Sequence, residues 1–492
     1  MQSSTDVDVV IIGAGLSGIN AGYRVQTETN LGYEILEARN DLGGTWSMFQ
    51  YPGLRSDSDM YTLGFPFKPW SALQSIANGE DIYNYVKETA EEFSIDKKIR
   101  YNSEVHSAEW SSSERQWTLN IKDKQTGQAR KRTCKFVLFC SGYYDYQGGY
   151  QPHIPGMEDY QGKWIHPQAW PKDFDYTGKK VVVIGSGATA VTLVPSLAKS
   201  AEHVTLLQRS PSYFVALPNT KSRNLLSYIL PTTVFHALLR FALAVRSYVF
   251  YWACQAFPSI SRYILRTLTK RLLPDHISID PHFSPNYNPW DQRVCIVPDG
   301  DMFKTLREGK ASIATGKIDT ITKEGIKTTD GQELKADVIV CATGLNLKLF
   351  GGAQLIVDGE KVDTAKRFVF RGQMLTGVPN ASLCFGYTNA SWTLGSDVCV
   401  LYATRLMRKC QEQGISHVVP RAPDLSVEDS EPLSTLQSGY FARAIDVLPR
   451  SAGKGTEWSL RSNWFKDILQ ARYGGLLRHM DVYYSEKKIK SA

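Results

Sequence analysis

Val7-Asp8-Val9-Val10-Ile11-Ile12-Gly13-Ala14-Gly15-Leu16-Ser17-Gly18 opens a pattern that Lys180-Val181-Val182-Val183-Ile184-Gly185-Ser186-Gly187-Ala188-Thr189-Ala190 repeats. In each, a β-branched run predicts a strand, a glycine turn follows, and small and apolar residues continue as a helix. Beyond the first turn, Tyr33 to Glu37 predicts a short strand ending in a carboxylate; beyond the second, His203 to Leu207 runs into Gln208, Arg209 and Ser210. Both are β-α-β nucleotide units. The first glycine makes the turn, the second lets the backbone approach a pyrophosphate, and the third packs helix on strand, while the helix N-terminus supplies partial positive charge. In the second unit Ala190 stands at the third glycine position, a variant that tightens the same packing.

The residue after each second strand separates the two units chemically. Glu37 lies 37 − 13 = 24 residues beyond the first glycine, and Arg209 lies 209 − 185 = 24 beyond its counterpart. A carboxylate accepts ribose hydroxyls and repels a 2′-phosphate, whereas a guanidinium can bind that phosphate through two parallel bonds. The first site is therefore expected to take an adenine nucleotide without the extra phosphate, and the second NADPH. Together they imply a flavin enzyme reduced by NADPH.

Outward from these units, Phe136 to Gly142 and Asp337 to Gly344 read as apolar strands stopping at Ser-Gly and Thr-Gly, with Pro152 and Pro155 after the first. They mark the hand-over points of a discontinuous domain. The fold expected is α/β, with two dinucleotide-binding, Rossmann-like domains, the NADPH domain inserted in the FAD domain, and a helical subdomain. The divisions fall at 1–150 and 341–492 for the FAD domain, 151–214 and 286–340 for the NADPH domain, and 215–285 for the helical part. A chain of 492 residues accommodates about three such units. Hydrophobic content of 42% with 21% charged residues excludes a disordered chain.

A net charge of +7 is too small at this length to argue for nucleic acid as a partner. Eight cysteines without a C-x-x-C pair argue against disulfide scaffolds, zinc sites and a disulfide reductase, and suit a reducing, cytoplasmic setting. Residues 1–8 carry no basic region of the kind that precedes a secretory signal.

Gly43-Gly44-Thr45-Trp46 and Tyr51-Pro52-Gly53-Leu54-Arg55-Ser56-Asp57 follow the first unit. By physics alone the glycines permit close backbone approach and Trp46 can cover a ring system. Asp57 is either a turn or helix cap or a carboxylate at the chemistry. The spacing Gly44-x-Trp46-x-x-x-x-Tyr51-Pro52-Gly53-x-x-x-Asp57 resembles the longer fingerprint of the type I Baeyer–Villiger monooxygenases. Tyr160-x-Gly162-x-x-x-His166-x-x-x-Trp170-Pro171 resembles their second fingerprint, with tyrosine where phenylalanine is usual; the terminal Trp-Pro sets it apart from the N- and S-oxygenating flavin monooxygenases. Arg55 to Phe65, Asn288 to Arg293 and Gly386 to Leu394 look like the ethionamide-activating mycobacterial branch of that family. The likeness runs from about residue 7 to about 395.

The resemblance implies FAD contacts at Gly13, Gly15, Ser17, Gly18, Glu37, Thr45, Trp46 and the backbone of Val105, with Arg55, Ser56 and Asp57 also on the cofactor side. It implies NADPH contacts at Gly185, Ser186, Gly187, Ala188, Thr189, Ala190, Gln208 and Arg209. Arg293 matches the family's catalytic arginine; Gln292 stands where some members carry a lysine that helps hold the 2′-phosphate, which leaves more of that task to Arg209. The reaction implied is NADPH reduction of FAD, uptake of O2 as a C4a-peroxyflavin, attack on a ketone, and collapse of a tetrahedral adduct to an ester or lactone. Arg293 would stabilise the anionic oxygens, Asp57 would orient Arg293 or the nicotinamide, and His166 would couple domain movement or simply pack. Open-chain aliphatic ketones are the substrates suggested. S- or N-oxygenation is the alternative within flavin chemistry, and a flavoprotein that serves binding is the alternative outside it.

From His203 to Pro274 there is no Asp or Glu against nine Lys and Arg. Two readings fit: a helical subdomain packed on the NADPH domain and steering an anionic cofactor, or peripheral contact with an anionic membrane through residues 221–271. An uncharged run such as Ser247 to Ser261 is short for a spanning helix.

Overall fold

The computed structural model describes residues 5–72, 74–219, 229–433 and 439–485. β1 (Val9–Ile12) leads into α1 (Leu16–Glu28) and β2 (Tyr33–Leu36), and β3 (Phe136–Phe139) closes the unit from the other side of β1. All three strands are buried on both faces, which is why β1 and β3 read as unbroken apolar runs rather than alternating ones; in β2 the buried Glu34 pairs with Arg132 at 2.7 Å. Ile99–Arg100 extends the sheet beyond β2 and Ala381–Leu383 extends it beyond β3, every pairing parallel.

The second unit has the same plan. β4 (Lys180–Ile184), α2 (Ala188–Leu197) and β5 (His203–Gln208) are followed, after a long excursion, by β6 (Val338–Cys341) on the far side of β4. Ala311–Thr315 and Lys163–Ile165 flank this five-stranded parallel sheet. Cys341 still pairs with Ile184, so the second sheet runs one residue past the boundary expected at 340.

A third sheet of Ser103–Ser111, Gln116–Asp123, Ala129–Cys134, Gln354–Val357 and Glu360–Lys361 lies on the first, its fully buried Trp110 and Trp117 in edge contact at 5.7 Å.

The excursion contains α3 (Thr232–Ala256) and α4 (Pro258–Leu272). Lys221 and Arg223, part of the basic stretch, lie outside the described residues. α3 meets both units: toward its C-terminal end Tyr251 lies 5.6 Å from Trp290 and Gln255 Nε2 donates to Pro289 O at 3.4 Å, while its earlier turns meet the first unit. Its buried Arg240 donates to the carbonyls of Tyr61 (2.7 Å), Thr62 (3.2 Å) and Gly64 (2.7 Å), and its Phe241 meets Phe465 at 5.6 Å, so it rests on elements of the first nucleotide unit's domain. A guanidinium inside the protein needs such acceptors, and three carbonyls at a chain turn supply them. α4 leans the other way, Leu265 packing with Tyr213 and Tyr287 and Leu272 on the second unit's core. By length and composition α3 could cross a membrane.

The remaining long helix, α5 (Trp392–Gln413), is buried along most of its length and is pinned to α1 by an Arg24–Asp397 ion pair of 2.7 Å. All eight cysteines are free and buried.

Two segments carry the chain between the nucleotide units, and they run side by side. Lys348 N–H donates to Tyr143 O (2.9 Å), Asp145 N–H to Asn346 O (2.9 Å) and Tyr150 N–H to Gly344 O (3.1 Å). Arg443 stacks over Tyr150 at 3.6 Å and donates to Leu345 O at 3.1 Å, covering this ribbon from outside.

Candidate functional site

The first glycine turn is closed by backbone packing. Gly13 has φ +101°, and a Cβ there would lie 2.7 Å from Cys140 O, while one on Gly18 would lie 1.9 Å from Gly13 O. Only glycine fits either position. Gly15 faces the backbone of Gly44, with Gly44 Cα 3.5 Å from where its Cβ would be. Glu37 is buried beneath the turn, accepting from Ala14 N–H (2.8 Å) and Arg39 N–H (2.9 Å). Burial raises its pKa, an effect those two bonds partly offset. Ser17 Oγ accepts from Trp392 Nε1 at 2.9 Å, tying the turn to α5. Thr45 and Tyr146 hydroxyls lie 3.4 Å apart, Trp46 packs half-buried on the core, and Val105 sits buried in the strand Ser103–Ser111. The glycine cradle and the carboxylate below it fit a dinucleotide bearing a free ribose diol.

The second turn is open where the first is closed. Gly185 is locked by Ala342 O, 2.4 Å from a would-be Cβ, yet a Cβ on Gly187 would meet nothing within 4 Å. That space lies at the N-terminus of α2, where unpaired backbone N–H groups attract an anion. Ser186 Oγ donates to Ser210 O at 2.8 Å, so the segment carrying Arg209 is fastened beside the turn, and Arg209 itself is exposed. Ala190 is fully buried at the third position, and Ala188 and Thr189 form the first turn of α2. Gln208 is different from its sequence neighbour: it is fully buried, and its amide donates to His282 O (2.7 Å) and Thr315 Oγ1 (3.0 Å).

The loop from Tyr51 to Asp57 joins the two turns. Gly53 has φ +76° and presses on α2 so closely that a Cβ would lie 1.9 Å from Ser196 Oγ. Arg55 forms an ion pair with Asp301, and Ser56 Oγ accepts from Ala77 N–H at 3.3 Å. Asp57 pairs with Arg293 at 2.6 Å, the acid 52% and the base 34% exposed, so the pair faces open space rather than the core. The capping role weighed for Asp57 belongs to Asp59, which accepts from Thr62 N–H at 2.9 Å.

Aromatic residues not anticipated from the sequence wall this pair. Burial is the largest influence on Arg293 and opposes its charge, but the adjacent Asp57 carboxylate holds its pKa well above the ordinary arginine value. Tyr143 and Tyr144 hydroxyls are 3.3 Å apart, and burial raises both phenols far from ionisation. Trp290, three residues before Arg293, is backed by Tyr251 of α3 at 5.6 Å. The one sequence signal for the tyrosines was their position directly after the strand-ending Ser141-Gly142.

His166 stands apart from this pair, at the base of the ribbon. Its Nδ1 accepts from Gln168 N–H (3.2 Å), which leaves Nε2–H to donate to Gly344 O (3.1 Å), and burial lowers its pKa. It is a neutral clasp between one crossing segment and the other. Among the described residues no group of His, Cys, Asp and Glu is arranged to hold a metal ion.

A family model described as flavin-binding monooxygenase-like matches residues 6–248. The FAD-containing monooxygenase EthA of Mycolicibacterium smegmatis is 47% identical over 470 residues, spanning 95% of this chain and 94% of that protein. The putative FAD-containing monooxygenase MymA of Mycobacterium tuberculosis is 44% identical over 467 residues, 94% of each. Among solved structures, an oxidized steroid monooxygenase bound to NADP aligns with a TM-score of 0.76 at 19% identity, over 97% of this chain and 100% of that one. A cyclohexanone-bound cyclohexanone monooxygenase aligns with a TM-score of 0.74 at 20% identity, over 97% and 99%. These alignments share the whole architecture of two parallel sheets with a helical addition.

Proposed function

The chain belongs to the flavin-binding monooxygenase-like family, and from that premise we propose that it is an FAD-dependent Baeyer–Villiger monooxygenase, using NADPH and O2 to convert ketones to esters or lactones. The observation that carries this reading is the Arg293–Asp57 pair, half-open to solvent, with Asp57 on the loop that joins the two nucleotide turns. Bound FAD, once reduced by NADPH, would supply one oxygen atom of O2 to the substrate. The protein's own residues decide where that atom is directed.

A ketone carbonyl under attack by an oxygen nucleophile develops an oxyanion. Arg293 is cationic at every accessible pH and stands where a substrate can reach it, so it stabilises that charge without a proton changing hands. Asp57 holds the guanidinium in place. Tyr143 and Tyr144, held neutral by burial, give this side of the pair a low-dielectric surface, which strengthens the electrostatic effect. The Gly13–Gly18 turn with Glu37 would hold FAD; the Gly185–Ala190 turn, with Arg209 on the 2′-phosphate, would hold NADPH. The apolar wall suits open-chain aliphatic ketones. A cytoplasmic setting is supported by eight free, buried thiols.

Anaerobic reduction with NADPH, followed by oxygen and a series of linear, cyclic and aryl ketones, tests the proposal. Ester in step with NADPH consumption is the expected result; consumption that yields only sulfoxide from thioethers, and never ester, would assign the enzyme to heteroatom oxygenation instead.

A further inference from the structure

The outward face of the α3–α4 hairpin is built the wrong way round for water. On α3, Val234, Leu238, Val249 and Trp252 are between 45% and 55% exposed and recur at helical spacing. On α4, Ile260, Ile264 and Leu268 continue the stripe at 48% to 59%. A surface helix ordinarily turns such a stripe toward the core and its polar side outward. An uncovered apolar face of this extent marks an interaction surface.

The inward face excludes a spanning arrangement. His236, Arg240, Ala244 and Cys254 are buried, Arg240 is bound to three carbonyls of residues 61–64, and Asn463 donates to Tyr248 Oη at 3.0 Å. α3 is thus fastened to the body along its length, and only its outer stripe is free to enter another phase.

Charge selects that phase. Neither helix contains an Asp or Glu, and Arg246, Lys270 and Arg271 are exposed around the stripe. A second copy docked face to face would set these cations against one another with no carboxylate on either side. Anionic lipid headgroups complement them while acyl chains accept the apolar side chains. We propose that the hairpin is an interfacial anchor, lying in the plane of an anionic bilayer with α3, about 37 Å long, along the headgroup boundary. Docking stands apart from the chemistry assigned above, so its test requires no substrate.

The test is flotation of the full-length protein with vesicles, one set equimolar in phosphatidylglycerol and phosphatidylcholine, the other phosphatidylcholine alone. The protein is expected to float with the anionic vesicles and stay behind with the neutral ones. Partitioning should fall about a hundredfold when Arg246→Glu, Lys270→Glu and Arg271→Glu are combined. It should fall likewise with Leu238→Ser, Val249→Ser and Trp252→Ser combined, while both variants oxidise NADPH at the wild-type rate, showing that they fold. Brominated acyl chains should quench tryptophan emission in the wild type and less so in Trp252→Phe. Failure to float, flotation that survives either variant set, or sedimentation of the wild type as a dimer that the serine variant dissociates would each overturn the proposal.

Discussion

Arg293 and Asp57 lie 236 positions apart in sequence and 2.6 Å apart in space. Neither packs into the core, so their pairing contributes to orientation more than to stability. Arg293→Ala should lower ester formation by about two to three orders of magnitude, as expected for losing an electrostatic stabiliser of a developing oxyanion, with the rate of anaerobic flavin reduction by NADPH little changed. Stopped-flow reduction and product analysis on the same preparation separate the two effects. At the other turn, Arg209 is exposed and Gln208 is not. If Arg209 binds the 2′-phosphate as proposed, Arg209→Ala should raise KM for NADPH about 10- to 100-fold and leave KM for NADH nearly unmoved, since NADH lacks that phosphate. Steady-state kinetics with both nucleotides checks this.

The two β-α-β units show why glycines of one motif are not equivalent. Gly18→Ala drives a Cβ to 1.9 Å from Gly13 O, a backbone atom that cannot step aside, whereas a Cβ on Gly187 faces open space. Gly18→Ala should therefore give insoluble or flavin-free protein. Gly187→Ala should fold normally and weaken NADPH binding, which flavin content and nucleotide titration distinguish. The units were legible in the sequence because strands buried on both faces leave continuous β-branched runs, and because the turn geometry demands glycine. Glu37 and Arg209 were legible through their fixed offset. The tyrosine wall was not, since Tyr143, Tyr144, Arg293 and Tyr440 are gathered by tertiary crossings that leave no local period. The same holds for Gln208, whose burial depends on His282 and Thr315 arriving from another segment. For α3, composition foretold a helix, but the surface it rests on is decided by Arg240 finding the carbonyls of residues 61–64.

Across the whole molecule, stability should depend on pH through histidines held neutral. Burial lowers His417 to about 4, with its ring stacked 4.3 Å from that of Tyr483, and lowers His166 as well. The unfolded chain protonates these groups below about pH 6.5 while the folded one does not, so the unfolded state binds more protons and stability falls as pH drops from about 6.5 toward 4. Chemical denaturation midpoints across that range should show the decline, and His417→Gln should flatten it. The paired crossing segments, 143–150 and 344–348, carry a mechanical consequence. Two strands laced together behave as a torsion bar: they resist separation and bending across their width but yield to twist about their common length. Rotation about that bar is the relative motion of the two halves that this pairing resists least. Because Tyr143 and Tyr144 form one end of it, they lie near the axis of such a twist and would be displaced less by it than groups at the far rims.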